Sequence, residues 1–146
     1  MIYKILDDQM NHTRARAACN QDSEDAGFAG FLHLPMPRNE AENQIYFDII
    51  SGTERHAWLD IVEVMPRTSP RTWVYKDGSP VTWFNWKSGE PNNYRNTNET
   101  EVMMLNNENF PGQWNDQYNS NRLSVCTYFL PAGAENDCTW LSEFEN

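Results

Sequence analysis

The chain has 146 residues, enough for one domain with a real core and too few for two comfortable ones. Its formal charge of −10, from 21 acidic against 11 basic residues, argues against nucleic-acid and anionic-membrane partners, which need a basic patch; it leaves room for a hard cation. Hydrophobic residues make up 39% of the chain, but no apolar run reaches the ~18 residues that crossing a bilayer takes, so no membrane insertion is expected.

The start, Met1 to Asp8, lacks the basic flank and apolar stretch of a signal peptide. An exported protein would therefore be represented here by its mature domain, with Met1 supplied by expression. The cysteines Cys19, Cys126 and Cys138 allow one disulfide with one thiol left over, or three reduced thiols. None stands in a CxxC or Cys/His spacing, and His12, His33 and His56 are scattered, so zinc is not expected.

Two helical stretches are predicted in the first third. From Thr13 to Gln21, Ala15, Ala18 and Cys19 form one small-residue face, with Asn11 or Thr13 to cap it. From Arg38 to Ile50, Ala41, Ile45 and Ile49 recur at i+4, and acidic residues crowd the first turn. Between them, residues 31 to 34 read as a short strand ended by Pro35. From residue 57 the pattern turns to short strands. Thr72 to Tyr75 and Val81 to Phe84 flank Asp77-Gly78, a hairpin signal. Val102 to Leu105, Gln113 to Asn115 and Ser124 to Phe129 are further strands. Polar stretches of about ten and seventeen residues, near 62 to 71 and 85 to 101, are long for a compact domain, and such loops are often functional.

The second stretch is loaded with oxygen donors. Glu90, Asn92, Glu99, Asn115 and Asp116 supply three carboxylates and two amides, an inventory that suits calcium with its six to eight oxygen ligands. Asn adds what a carboxylate lacks, a carbonyl for the metal and an NH₂ donor for a second group. Taken singly, each of these residues reads as ordinary solvated loop.

Order and spacing add to this. Tyr3-Lys4, Ala17-Ala18-Cys19, Leu32-His33-Leu34-Pro35, Asn39 to Asn43, Trp58-Leu59-Asp60, Trp73, Tyr75 to Gly78, Trp83 to Trp86, Gly89-Glu90-Pro91-Asn92-Asn93, Gly112 to Asp116 and Val125-Cys126 follow one another in a fixed order, with Trp114 22 residues after Asn92. In this order the chain resembles the C-type lectin family over nearly its whole length. The resemblance implies an α+β fold, with two helices flanking small antiparallel sheets and a long calcium-binding loop region. It implies a carbohydrate-recognition domain over residues 1–129, followed by an extra tail at 130–146.

The resemblance assigns Glu90, Asn92, Glu99, Asn115 and Asp116 as calcium (Ca2+) ligands, Asp116 also through its backbone carbonyl, and makes Glu90-Pro91 a cis peptide. Two neighbouring sugar hydroxyls would complete the metal's shell, bonded by the pairs Glu90 with Asn92 and Glu99 with Asn115. The Glu-Pro-Asn order resembles the mannose-type motif, which implies glycans ending in mannose, glucose, N-acetylglucosamine or fucose as partners. Cys19 and Cys126 match the family bridge between the first helix and the last strand. Cys138 has no counterpart; an interchain disulfide giving a homodimer and a free thiol are both open.

The departures from the pattern are specific. The cysteines of a second family disulfide are replaced together, by Glu101 and a residue near Asn119, so the loop from Gln117 to Arg122 is expected to be freer than usual. The stretch from Asn92 to Glu99 is one residue longer than in typical mannose binders, which leaves Glu101 as an alternative to Glu99. An auxiliary calcium site looks incomplete, since Asn93 and Thr100 stand where acidic ligands are expected. Trp58, Trp73, Trp83, Trp86 and Trp114 read as core, whereas Tyr94 and Tyr118 flank the site and could touch a sugar. Asn11-His12-Thr13 and Asn98-Glu99-Thr100 match the glycosylation acceptor pattern, and a glycan on Asn98 would crowd Glu99.

Three functions follow from these features. The first is a secreted, calcium-dependent lectin. The second is a protein-recognition module of the same fold, with calcium absent or structural. An enzyme using Glu90 and Glu99 as acid and base is not expected, because no apolar pocket is evident to tune either group.

Overall fold

The computed structural model describes residues 1–27 and 31–128; Phe129, Cys138 and the tail from 130 to 146 lie outside that range. The chain opens with strand β1, Ile2–Ile5, which pairs antiparallel with the last strand, β6, Val125–Tyr128. β1 has no periodic signature beyond four residues, and the pairing is what makes it a strand.

Helix α1 runs His12–Asp25, and the side chain of Asn11, not Thr13, caps it by accepting from the Arg14 N–H at 2.9 Å. It continues four residues past the expected Gln21. Those residues carry no apolar signal; Gln21 and Asp25 bond across one turn at 2.9 Å, the kind of i,i+4 pair that extends a polar helix. Its inner face is His12, Ala15, Cys19 and Ser23. The buried His12 ring bonds the Leu59 carbonyl at 2.7 Å.

Helix α2, Glu40–Ile50, starts two residues later than expected, at an Asn39 cap that accepts from the Glu42 N–H. Its inward face corrects the sequence reading. Asn43, Tyr46 and Ile50 are buried, while Ala41 and Ile45 are exposed and Ile49 is only partly covered. Asn43 misleads hydrophobic counting because it is a core residue whose polar atoms are both satisfied. Its Oδ1 accepts from Trp114 Nε1 at 2.8 Å and its Nδ2 donates to the Gly112 carbonyl at 3.0 Å.

The second sheet has the order β3-β2-β4-β5, all antiparallel, with β2 at Ala57–Glu63, β3 at Trp73–Tyr75, β4 at Glu101–Met104 and β5 at Trp114–Gln117. β2 is buried along most of its length because clusters pack on both of its faces. Leu59 and Ile61 join Tyr46, Ile50, Val102 and Trp114 on one side, and Trp58 joins Cys19, Leu34 and Cys126 on the other. Asp60 is paired in the interior with Arg16 of α1. The Asp77-Gly78 turn forms as expected, with Gly78 at φ 84°. The second hairpin arm is not a strand, however. It pairs only at Pro80 opposite Val74, and Trp83 and Phe84 then leave to pack edge-on against Trp114. Residues 31 to 34 likewise give one bridge, His33 to Thr127, and no strand.

The Cys19–Cys126 disulfide joins α1 to β6, as the resemblance implies. The loop from Gln117 to Arg122 is held to the chain before α1, contrary to the greater freedom expected of it. Met10 and Arg122 exchange two backbone hydrogen bonds, and Asn119 accepts from the His12 N–H at 2.7 Å. An asparagine thus anchors the region where a family cysteine is missing.

Candidate calcium and sugar site

The site is built where the long loop returns to β5. Trp114 donates its backbone N–H to the Asn85 carbonyl at 2.8 Å, and its own carbonyl accepts from the Lys87 N–H at 2.9 Å. The chain from 85 to 87 is therefore laid along the start of β5, and the Glu90 N–H turns back to Lys87 at 2.9 Å. Beneath this segment Trp86 packs on Trp73 and Trp114, with centroids 5.1 and 5.9 Å apart. The tryptophans serve as a floor, buried or half-buried, as their sequence pattern suggests.

The Glu90-Pro91 peptide is cis. Beyond it the Asn92 and Asn93 N–H groups bond the two carboxylate oxygens of Asp116 at 3.0 and 2.8 Å. The loop then makes a 3-10 turn at Tyr94–Asn96, with Asn93, Arg95, Asn96 and Asn98 at positive φ. Three of these four are asparagine, which tolerates the left-handed region better than most residues. The turn closes on Glu99, whose carboxylate accepts from the Tyr94 N–H and whose own N–H bonds Asn93 Oδ1 at 2.9 Å.

Five predicted residues are thus brought to two adjoining segments, though not equally. Glu90 and Asn115 each bury a side-chain oxygen, Oε2 and Oδ1, with no hydrogen-bond partner. Glu99 is buried and Asn92 exposed. Asp116 is fully buried, and its two oxygens are taken by the loop N–H groups and by Arg71, so its side chain acts here as an anchor. Among the described residues no three His, Cys, Asp or Glu side chains gather as a metal cluster. Tyr94 and Tyr118 are both about half exposed, and Tyr94 lies under the Arg95 guanidinium at 5.0 Å.

The electrostatics single out Glu90. Burial, then the charges of Asp116 and Glu99, push its carboxyl up to about 7, against partial relief from Lys87 and Arg71. Glu99 is raised as well, by burial first. Glu101 stands apart from this group. It sits on β4 opposite Gln117, bonds the Thr100 hydroxyl at 3.0 Å, and takes its raised pKa from burial rather than from neighbouring acids. Of the two alternatives, Glu99 is the one that shares a field with Glu90.

The donor set fits calcium as far as it goes. The two unpartnered buried atoms are oxygens, one from a carboxylate and one from an amide, and calcium takes both kinds. Two residues central to the loop were not singled out in the sequence, Glu63 and Arg71. Arg71 links Glu63 at the end of β2 to Asp116 on β5, which lies 45 residues further along the chain than Arg71 itself. Spacing alone carries no signal for that contact.

The family model of the lectin C-type domain matches residues 8–128. The chain belongs to the C-type lectin domain family. It is 37% identical over 95 residues to a mannose-binding protein of Gallus gallus, covering 64% of this chain and 34% of that protein. It is 27% identical over 110 residues to pulmonary surfactant-associated protein D of Sus scrofa, covering 74% and 28%. The chain thus spans about a third of the length of these relatives. Among solved structures, the carbohydrate-recognition domain of the mouse scavenger receptor C-type lectin superposes with a TM-score of 0.69 at 23% identity, covering 89% of this chain and 90% of that one. That likeness establishes the C-type lectin fold. None of these relatives is named as an enzyme. Among the described residues, no helix is long and apolar enough to cross a membrane.

Proposed function

We propose that this C-type lectin domain binds glycans in a calcium-dependent manner, with a preference for mannose-type terminal sugars. The observation that carries the reading is the pair of buried, unpartnered oxygens on Glu90 and Asn115, on two segments that Asp116 and Trp114 hold side by side. Burying such atoms without a partner costs roughly 1 to 3 kcal/mol each, a cost that a cation bound between the segments would offset. The similarity to a mannose-binding protein supports the sugar class.

Glu90, Asn92, Glu99, Asn115 and Asp116 would hold the ion, Asp116 through its backbone carbonyl. Calcium, when bound, supplies the positive charge that draws two vicinal hydroxyls to this face. The residues around it do the recognition. Glu90 and Glu99 accept hydrogen bonds from the hydroxyls, and the amides of Asn92 and Asn115 donate to them. A carboxylate and an amide on each hydroxyl read it as donor and acceptor at once. Equatorial 3- and 4-hydroxyls satisfy both pairs, hence the expectation of mannose over galactose. The exposed Tyr94 ring offers an apolar contact beside them, and Tyr118 another. Two hydroxyls and little buried area give weak single-site affinity, so useful binding needs several copies, and pairing through Cys138 is one route. The disulfide is in keeping with an extracellular, oxidising setting.

Titration calorimetry with methyl mannoside and methyl galactoside, in calcium and in EDTA, tests the reading. Mannoside heat that appears only with calcium is the expected result. Calcium binding without heat from either sugar would replace it with a protein-recognition module.

A further inference from the structure

The polar stretch between β2 and β3 closes on itself through the Val64 N–H and the Thr72 carbonyl at 2.8 Å, and it sends two arginines back to Glu63. Arg67 and Arg71 each make a two-toothed contact with the Glu63 carboxylate, four bonds of 2.8 Å, so both its oxygens are shared between two guanidinium groups. One arginine suffices to neutralise a buried carboxylate. The second one does more. Arg71 Nη1 donates to Asp116 Oδ2 at 2.9 Å and Nη2 to the Glu99 carbonyl at 2.7 Å. The guanidinium also lies 4.7 Å above the Trp73 ring. The Glu63 and Asp116 side chains are wholly buried and that of Arg71 nearly so, 16% exposed. Two carboxylates and two guanidinium groups leave the cluster neutral.

This cluster reaches the binding loop at three points. Asp116 holds the Asn92 and Asn93 N–H groups, and Arg71 holds Asp116 and the carbonyl of Glu99. We infer that Arg71 is the positioning residue of the site, a resident organic cation that fixes Asp116, and through it the backbone from 92 to 99, before any metal arrives. A planar, permanently charged fork is suited to the task, since it can bond several acceptors at fixed angles and cannot be deprotonated. All four carboxylate oxygens of Glu63 and Asp116 are engaged this way, each by a guanidinium or a loop N–H. The ordering of the loop stands on these contacts alone; its effect on calcium rests on the function proposed above.

Backbone amide exchange by NMR in EDTA is the test, on the full chain and on Arg71→Met and Arg71→Lys. In the unaltered protein the Asn92 and Asn93 amides should exchange at least ~100-fold slower than in a free chain, with or without calcium. In Arg71→Met that protection should fall by about tenfold or more while β1–β6 amides keep theirs, and calcium affinity should weaken by roughly tenfold. Arg71→Lys, with the charge but not the fork, should fall between. Free-chain exchange of Asn92 and Asn93 in the unaltered protein in EDTA, slowed only by calcium, overturns the inference, and this arm decides even if Arg71→Met does not fold. Undiminished protection in Arg71→Met overturns it too. Lost protection with unchanged calcium affinity would leave Arg71 as the loop's anchor and remove its link to the metal. If no variant binds calcium, the lectin mechanism fails while the amide result still decides the role of Arg71.

Discussion

Glu63 and Glu90 are acidic side chains beside the same loop region, yet Glu63 has both oxygens bonded to arginines while Glu90 buries one oxygen with no partner. Their proton affinities diverge accordingly. Burial would raise Glu63, but the hydrogen bonds and charges of Arg71 and Arg67 outweigh it and hold the carboxyl below its ordinary range. Nothing comparable offsets burial and like charge at Glu90, and it rises to about 7. A satisfied carboxylate is framework. An unsatisfied one, held in place by framework, is poised for a ligand.

The largest effect that could break this contrast is at Asp116. Replacing it by alanine takes the acceptor from Arg71 Nη1 and from two loop amides and leaves the buried cluster with an uncompensated positive charge, and should cost about 3 to 5 kcal/mol in urea unfolding in EDTA. A loss under about 1 kcal/mol would show that the framework half is no framework. Next comes Glu90→Gln, which should weaken calcium binding by roughly a hundredfold in calorimetry, since charge count sets affinity in such sites. The same variant in EDTA should stay within about 1 kcal/mol of the parent near pH 4.5, because no protein hydrogen bond is lost.

The pH dependence sharpens the contrast further. A carboxyl raised to about 7 from an ordinary 4.5 binds its proton more tightly in the folded state, so its contribution to metal-free stability is lost as pH rises through that window. A depressed carboxyl such as Glu63 behaves oppositely. Its contribution is full above pH 4.5 and is lost as pH falls through its lowered pKa. His12, pushed down to about 4 by burial, adds a slope opposite to that of Glu90. Unfolding curves for the parent and for Glu90→Gln, compared across pH 4.5 to 7 in EDTA, isolate Glu90 because His12 is common to both. The variant should gain on the parent as pH rises; parallel curves would remove Glu90 from the account.

The smallest effect expected is from Asn119→Ala. It removes a side-chain acceptor from the first turn of α1 and should cost about 1 kcal/mol by thermal unfolding, with calcium affinity unchanged.

Much of this arrangement is legible in the chain. The tryptophans and the Gly89-to-Asn93 and Gly112-to-Asp116 motifs locate the fold and the two segments of the candidate site, because each is short, local and chemically unusual. What escapes is of another kind. The inward face of α2 is hidden because Asn43 is a core residue through hydrogen bonds, which hydrophobic periodicity does not count. The hairpin arm after Pro80 is hidden because Trp83 and Phe84 are drawn off to pack edge-on against Trp114. Arg71 looks like solvated loop, since its partners are three separate places in the chain that only the fold unites. The anchoring of the loop at Asn119 is hidden because a missing disulfide is visible in a sequence and its hydrogen-bonded substitute is not.

The pairing of β1 with β6 places Ile2 beside Tyr128, so tension applied through the two ends would peel the strands apart like a zip. The peel meets a covalent stop at Cys126, two residues in from Tyr128 and opposite Lys4. From there the load passes through the sulfurs to Cys19 and out along the first helix. Residues 20 to 125 are bypassed, and with them the whole binding loop. Force entering at either end of this strand pair thus has a covalent route through the domain that omits the binding loop.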